Sequence, residues 1–297
     1  MIQAQRLGHA TIETQDFQKS LDYFVDFNGF VVVAQEKGRA WLASKLGQLN
    51  IVLVASPDRS DCTRIAFEVA PDSDFSEMQQ FLASEGIASE IRSDPFPGTP
   101  KALVFTDPKG TQVELYSSWS FLAPNQNVAG VGPLKVGHIA FFTPDVQGLC
   151  AFYQKILGFR VSDWLGDFFV FMRCNPDHHS INFFRGENPK LHHIAFELKD
   201  SVHLMESCER LAQVRIPLGW GPMRHGPGHN LATYHRNPDD HVVEYYCELD
   251  QMKNEALGYF EPRPWHIDRP QRPKVWDHGV WTSGWGLPPT ASHLRKA

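Results

Sequence analysis

Leu7-Gly8-His9-Ala10-Thr11-Ile12, close to the start of the chain, and Val136-Gly137-His138-Ile139-Ala140-Phe141, near its middle, are two versions of one phrase. Each is a short apolar run with β-branched or aromatic residues around a Gly-His pair, the pattern of a half-buried strand. The segments downstream of the two phrases are repeated as well. Asp16 stands as an N-cap before Phe17, Leu21, Phe24 and Val25, and Asp145 before Leu149, Phe152 and Tyr153, apolar residues at helical spacing. Gly29-Phe30 and Gly158-Phe159 close the two helices, glycine supplying the left-handed turn beyond the last residue. His9 and His138, Asp16 and Asp145, Gly29 and Gly158, Arg64 and His193, and Phe67 and Phe196 are all 129 residues apart. Asp107 and Asn237, and Glu114 and Glu244, are 130 apart. Seven landmarks on an offset of 129, lengthening to 130, mark a duplication.

Each half contains strand, helix and three strands, twice over. In the first half strands are expected at Leu7–Ile12, Phe30–Ala34, Ala40–Ala43 and Leu49–Ala55. The second set begins at Arg64–Val69, continues with a helix from Phe75 to Glu85, and ends with strands near Ile91, at Ala102–Thr106 and at Thr111–Tyr116. The expected class is α+β: two tandem domains, residues 1–125 and 134–250, each of paired βαβββ modules forming an open mixed sheet barrel around a cavity. A linker rich in Pro, Asn and Gly lies near Phe121 to Pro133. Residues 251–297 read as a Pro/Trp/Arg-rich extended arm, because proline at that density forbids a long helix or a central strand. Trp265, Trp276, Trp281 and Trp285 should lie against the protein or a neighbouring subunit.

At 297 residues the chain has ample core for two domains. A net charge of −6 without any Lys/Arg block argues against nucleic acid or a membrane as partner. No apolar run approaches a membrane span, and the N-terminus lacks the pattern of a signal peptide. Five cysteines with no C-x-x-C pair suit reduced thiols in the cytoplasm, with Cys150 and Cys208 on helical core faces.

Three residues stand out as chemistry. His138, His193 in Leu191-His192-His193-Ile194-Ala195-Phe196, and Glu244 in Val242-Val243-Glu244-Tyr245-Tyr246 each interrupt an apolar strand. Burying such groups is costly unless they are hydrogen-bonded, paired or bound to metal. Two neutral imidazoles and a carboxylate are the donor set of a non-haem Fe(II) facial triad, which leaves positions open for ligands. Taken alone, three scattered residues are more simply unrelated; the duplication is what favours the triad. It also supplies a control, since the first half keeps His9 and Glu114 but has Arg64 in place of His193. Arginine stays protonated and has no lone pair to donate, so the first half is expected to be metal-free.

Further polar residues surround the three: Asp177-His178-His179-Ser180, then Arg224-His225-Gly226-Pro227-Gly228-His229, then Tyr234. With His192-His193-Ile194-Ala195-Phe196, and with His225, Tyr234 and Glu244 at intervals of nine and ten, the sequence resembles the type I extradiol ring-cleavage dioxygenases of the vicinal-oxygen-chelate superfamily. The resemblance covers roughly residues 5 to 250. It implies that His138, His193 and Glu244 hold Fe(II), with Mn(II) as the alternative. It implies too that His179 is the acid–base residue and that His225 and Tyr234 hydrogen-bond a bound catechol. His229, Phe171, Arg269 and Arg272 are further candidates for substrate contact, the two arginines by folding the arm over a polar or acidic ring substituent. One carboxylate on Fe(II) leaves a single positive charge, which a catecholate monoanion neutralises in a dry pocket.

The expected partners are a catechol and O2, in a homo-oligomer. His178 and His192, the first members of their doublets, are expected to face away from the site, because neighbours on a strand point to opposite faces. His203, His235, His241, His266, His278 and His293 read as surface or loop residues. Two other functions compete: a glyoxalase-like or 4-hydroxyphenylpyruvate dioxygenase-like metalloenzyme, or a small-molecule binding protein of the bleomycin-resistance type. Neither needs His179, His225 and Tyr234 in concert.

Overall fold

The structure, a computed structural model, describes residues 2–117, 119–120, 122–125, 129–261, 268–277 and 283–294. Trp265, His266, His278, Trp281 and part of the linker lie outside the described residues.

The first domain runs β1 (Arg6–Thr14), α1 (Phe17–Asp22), β2 (Val31–Glu36), β3 (Arg39–Ala43), β4 (Leu49–Ala55), β5 (Asp61–Glu68), α2 (Phe75–Ser84), β6 (Ser89–Phe96), β7 (Thr99–Thr106) and β8 (Gln112–Tyr116). The second repeats it with β9 (Lys135–Thr143), α3 (Val146–Leu157), β10 (Arg160–Leu165), β11 (Phe169–Arg173), β12 (Ile181–Arg185), β13 (Lys190–Glu197), α4 (Ser201–Gln213), β14 (Trp220–Arg224), β15 (Leu231–Arg236) and β16 (Val242–Cys247). These are the two tandem domains of paired βαβββ modules that the sequence leads one to expect. Asp16 and Asp145 cap their helices, accepting from the backbone N–H of Lys19 and of Gly148. The helix α1 departs from expectation in continuing as a π-helical turn over Tyr23–Phe27.

Each domain is one curved sheet with its opening strands in the middle. The order in the first is β2-β3-β4-β1-β5-β8-β7-β6. In the second the same order is extended at both edges, by β17 (Lys274–Trp276) beside β10 and β18 (Trp285–Gly286) beside β14. The C-terminal arm therefore covers the two edges of the second sheet, which would otherwise present unpaired backbone groups. Trp276 is buried there, whereas Trp285 stays half exposed.

A glycine precedes each histidine of the opening strands for a steric reason. A Cβ at Gly8 would collide with the hydroxyl of Tyr116, and one at Gly137 with that of Tyr246. Tyr116 and Tyr246 each follow the repeat's glutamate by two residues, so the Gly-His and Glu-x-Tyr phrases are two sides of one contact.

The domains pack through exchanged counterparts. Phe67 meets Phe159 at 5.3 Å between ring centroids, and Phe196 meets Phe30 at 5.4 Å. Tyr23 bonds His235 at 2.7 Å, and the Tyr245 hydroxyl donates to Asn28. His235 is thus a buried interdomain residue rather than a surface one. His203 also has a structural role, its Nε2 lying 2.6 Å from the carbonyl of Val131. Asp239 reaches across from the second domain and accepts hydrogen bonds from Thr14, Ser20 and Ser60 at 2.7, 2.6 and 3.0 Å. Hydrogen bonds to a charged acceptor contribute about 1.5–3 kcal/mol each when well shielded, less when half exposed as here. Asp239→Ala is expected to lower unfolding free energy by about 2–4 kcal/mol in a urea titration; a loss below about 0.5 kcal/mol would show that the clasp contributes nothing.

Candidate active site

The site is laid out by cross-strand register. His138 on β9 lies opposite Ala195 on β13, Ala195 opposite Glu244 on β16, and Glu244 opposite Tyr234 on β15. Side chains directly across a sheet share a face, so His138, Glu244 and Tyr234 form one row with only the methyl of Ala195 between the two candidate ligands. The next row on the same face holds Phe171, Asn182, Ala140, His193, Val242 and Arg236. A third row carries Phe169, Phe184 and Phe142. Together they line a cavity of about 430 Å³, within the usual range for small-molecule sites.

His138, His193 and Glu244 are buried, and their donor atoms lie within 4.8 Å of one another. Glu244 Oε2 is 3.0 Å from His138 Nε2 and 3.3 Å from His193 Nε2. Adjacent ligands at right angles on a metal, each about 2.1 Å from it, stand about 3.0 Å apart, so the two carboxylate–imidazole edges have the spacing of neighbouring octahedral positions. His193 Nε2 has no hydrogen-bond partner among the described residues, an orphaned lone pair that a metal would satisfy. Burial holds the His193 ring well below the usual histidine pKa, with His192 adding to the effect, so it is a neutral donor. Burial pushes the Glu244 carboxyl up, but the neighbouring His138 outweighs it and the group stays ionised. Asn230 donates to the other oxygen, Oε1, at 2.9 Å and orients the carboxylate. In the first domain His9 Nε2 lies 3.4 Å from Glu114, and the guanidinium of Arg64 approaches the same carboxylate at 3.8 Å. A cation already occupies the place of a third ligand there.

His179 lines the cavity beside His138, ring centroids 4.2 Å apart, and burial followed by the His138 charge depresses its pKa strongly. On the other flank His225 Nε2 and the Tyr234 hydroxyl are 2.7 Å apart. Burial, then the Glu244 charge, raises the Tyr234 pKa well above the ordinary phenol value. Phe171 is on the wall. The remaining candidates lie elsewhere. His229 is buried behind the site, bonded to Asp250 at 2.7 Å. Arg272 donates to the carbonyls of Leu257 and Gly258, Arg269 is exposed, and neither lines the cavity. The arm closes the cavity with Pro289, His293 and Leu294 instead.

One of the two histidine doublets also departs from expectation. His192 lines the cavity with His193, because a bulge between Leu191 and His193 drops it out of the ladder and breaks the period of two. Its Nδ1 is 2.7 Å from that of His193, and burial brings its pKa down to about 4. His178 and His179 precede β12 in an irregular segment, with their Nδ1 atoms 2.9 Å apart. The first member of each doublet therefore supports the second. His241 and His293, expected at the surface, line the cavity as well, and so does Trp220. Asn182 and the phenylalanines of β11 and β12 are accessible from period-two alternation once one residue of each strand is placed; His192 and His293 carry no such signal.

Comparison with known proteins agrees with this fold. The sequence pattern of the Glyoxalase/Bleomycin resistance protein/Dioxygenase superfamily matches residues 6–115 and 135–245. Metapyrocatechase 2 of Cupriavidus necator is 28% identical over 202 residues, a match spanning 61% of this chain and just under two thirds, 62%, of that protein. The 3-methylcatechol 2,3-dioxygenase of Pseudomonas putida is 26% identical over 298 residues, covering 92% of this chain and 97% of that one. The Mn(II)-bound glyoxalase from Novosphingobium aromaticivorans superposes with a TM-score of 0.86 at 26% identity, over 100% of this chain and 96% of that one.

Removing any candidate ligand should empty the site. His138→Ala, His193→Ala and Glu244→Ala are each expected to lose bound metal after reconstitution and desalting, whereas His9→Ala keeps it, as elemental analysis would read. Full metal content in His193→Ala would end the three-ligand assignment.

Proposed function

Because the chain belongs to the Glyoxalase/Bleomycin resistance protein/Dioxygenase superfamily, we propose that its second domain is an extradiol dioxygenase. In this reading it opens a substituted catechol beside its two hydroxyls with O2, at a non-haem Fe(II) held by His138, His193 and Glu244. One observation carries the reading: His179 on one flank, and the His225–Tyr234 pair on the other, face the same cavity as the three ligands. A passive binding site has no use for acid–base groups, and an isomerase that moves one proton does not need these three in concert.

Bound Fe(II) would supply the one-electron chemistry that triplet dioxygen requires and an electrophilic seat for the catechol oxygens. The chain's own residues do the rest. Tyr234 keeps its proton, because its pKa is raised, and is a hydrogen-bond donor toward a catechol oxygen. His225, bonded to Tyr234, accepts a hydroxyl proton as the catechol binds. His179, kept neutral by burial, holds a lone pair for a proton and returns that proton as the ring opens to a semialdehyde or keto product. The single negative charge of Glu244 leaves room for one more from the substrate. Phe142, Phe168, Phe169, Phe171 and Phe184 wall the outer cavity, exclude water and favour a catechol with an apolar substituent.

The Mn(II)-bound glyoxalase supports a second reading, a glutathione-hemithioacetal isomerase on the same frame. One experiment separates the two. Protein reconstituted anaerobically with Fe(II) is mixed with catechol, 3-methylcatechol and air, then separately with the hemithioacetal. Consumption of one O2 per catechol with a yellow product supports the dioxygenase; an untouched catechol and an isomerised hemithioacetal would replace it with the second reading.

His179 should be separable from the metal. His179→Asn is expected to keep its iron and its anaerobic affinity for catechol while kcat falls about a hundred- to ten-thousandfold, or about 3–5 kcal/mol of barrier. Stopped-flow mixing of the anaerobic complex with O2 locates the loss; oxygen-dependent steps at the wild-type rate would remove His179 from the mechanism.

A further inference from the structure

We propose that Asp163 and His178, fastened by the C-terminal arm, are positioning residues that fix the tautomer of His179 and leave its Nε2 unprotonated toward the cavity. The inference rests on the reading of His179 as the acid–base residue. Asp163, on β10, is fully buried. Its Oδ1 accepts the backbone N–H of Lys274 at 2.9 Å, and its Oδ2 accepts the indole N–H of Trp276 at 2.8 Å. Neither donor has a lone pair to offer in return, so the carboxylate is held as an acceptor. The proton on the 3.0 Å contact between Oδ2 and His178 Nε2 therefore belongs to the imidazole.

A neutral His178 protonated on Nε2 has its lone pair on Nδ1. That atom lies 2.9 Å from His179 Nδ1, which must then carry the hydrogen. His179 is left with a lone pair on Nε2, the form a base needs. When Nε2 takes a proton, the Nδ1–H bond to His178 is retained, and the new positive charge faces the Asp163 carboxylate through one imidazole. His178 is itself fully buried, its ring packed on Phe260 and its backbone N–H donating to the carbonyl of Asp250, so it has little freedom to turn.

The arm is part of the device. Lys274–Trp276 pair in parallel with β10, Asp163 opposite Lys274 and Leu165 opposite Trp276. Docking of this strand delivers both donors to Asp163, so the arm acts from behind the acid–base histidine and not only at the mouth of the cavity.

The test uses the full chain and two substitutions of opposite character. His178→Phe keeps the ring volume and removes the acceptor. His178→Asn gives up volume but places an amide oxygen near the former Nδ1. Ring ¹⁵N spectra of the metal-free protein are expected to find His179 in the Nδ1–H tautomer in wild type, in a mixture of tautomers in His178→Phe, and largely returned to Nδ1–H in His178→Asn. In the Fe(II)-loaded protein, kcat should fall about ten- to a hundredfold in His178→Phe, the scale of lost orienting partners, with KM for catechol and iron content unchanged. His178→Asn should recover most of that loss. Trp276→Phe should shift the tautomer the same way by a smaller amount.

A merely structural role predicts the reverse order, with Phe tolerated and Asn damaging, and that order would overturn the proposal. So would an Nε2–H tautomer of His179 in the wild-type protein, a reading that needs no variant to fold. A wild-type protein that cleaves no catechol, yet shows the tautomer switch in His178→Phe, would uphold the positioning role and remove the functional reading instead.

Discussion

The site depends on the register of three neighbouring strands. His138, Ala195 and Glu244 share one row across β9, β13 and β16, and a slip of one residue on any of them would turn its candidate ligand to the other face of the sheet. The contact between Gly137 and the Tyr246 hydroxyl pins that register. Tyr246 lies two residues beyond Glu244 on β16, and Gly137 one residue before His138 on β9, so seating the phenol over the glycine sets the ligand-bearing strands relative to each other. The small side chain of Ala195 then keeps the centre of the row open. These requirements concern packing alone, and the first domain meets them with Gly8, Ala66 and Tyr116 although Arg64 stands there in place of His193.

The duplication also accounts for how the halves are joined. Phe67 on Phe159 and Phe30 on Phe196 are the same contact made twice with the partners exchanged. That reciprocity is the property of a twofold interface, in which one patch serves both sides. The apolar core is continuous across it, so the first domain is not an appendage of the second. Contacts found on one side only, such as Asp239 with Thr14, Ser20 and Ser60, mark where the halves have diverged.

The sequence discloses what repeats and what alternates. The offset between His9 and His138 identifies the tandem domains, and the exchange of His193 for Arg64 puts the candidate metal site in the second; the family resemblance suggests parts for His179, His225 and Tyr234. Elsewhere a local irregularity or a long-range contact hides the outcome. His192 turns toward the cavity because a bulge adds a residue to β13, and no propensity in Leu191-His192-His193 announces it. His178 escapes the alternation of a strand because its segment is not one. His235 looks like any exposed histidine until Tyr23, 212 residues earlier, is placed beside it. The arm is the least legible part, since its arginines suggest a lid, whereas its contributions are backbone pairing at two sheet edges, Trp276 against Asp163, and His293 at the cavity. Such roles come from tertiary placement, not from composition.

The two domains finally differ in what fills the concave face. In the first, Leu49, Val52, Phe96 and Tyr116 pack together with Trp41 and Trp119 into an apolar cluster. By strand register Val52 stands where the second domain has Asn182, and Trp41 where it has Phe171. A fold of this kind is more stable filled, because burying imidazoles and amides without full hydrogen bonding costs about 1–3 kcal/mol per unsatisfied group. The second domain offsets part of that cost by chaining polar groups: Nδ1 to Nδ1 within each histidine doublet, Asn230 to Glu244, His225 to Tyr234. Where the candidate ligands converge, the Nε2 of His193 is left without a hydrogen-bond partner. A chained network that leaves a lone pair at the point its candidate ligands share is one that a partner from outside the chain would complete, and the first domain, with an apolar cluster in the corresponding place, has no such site to complete among its described residues.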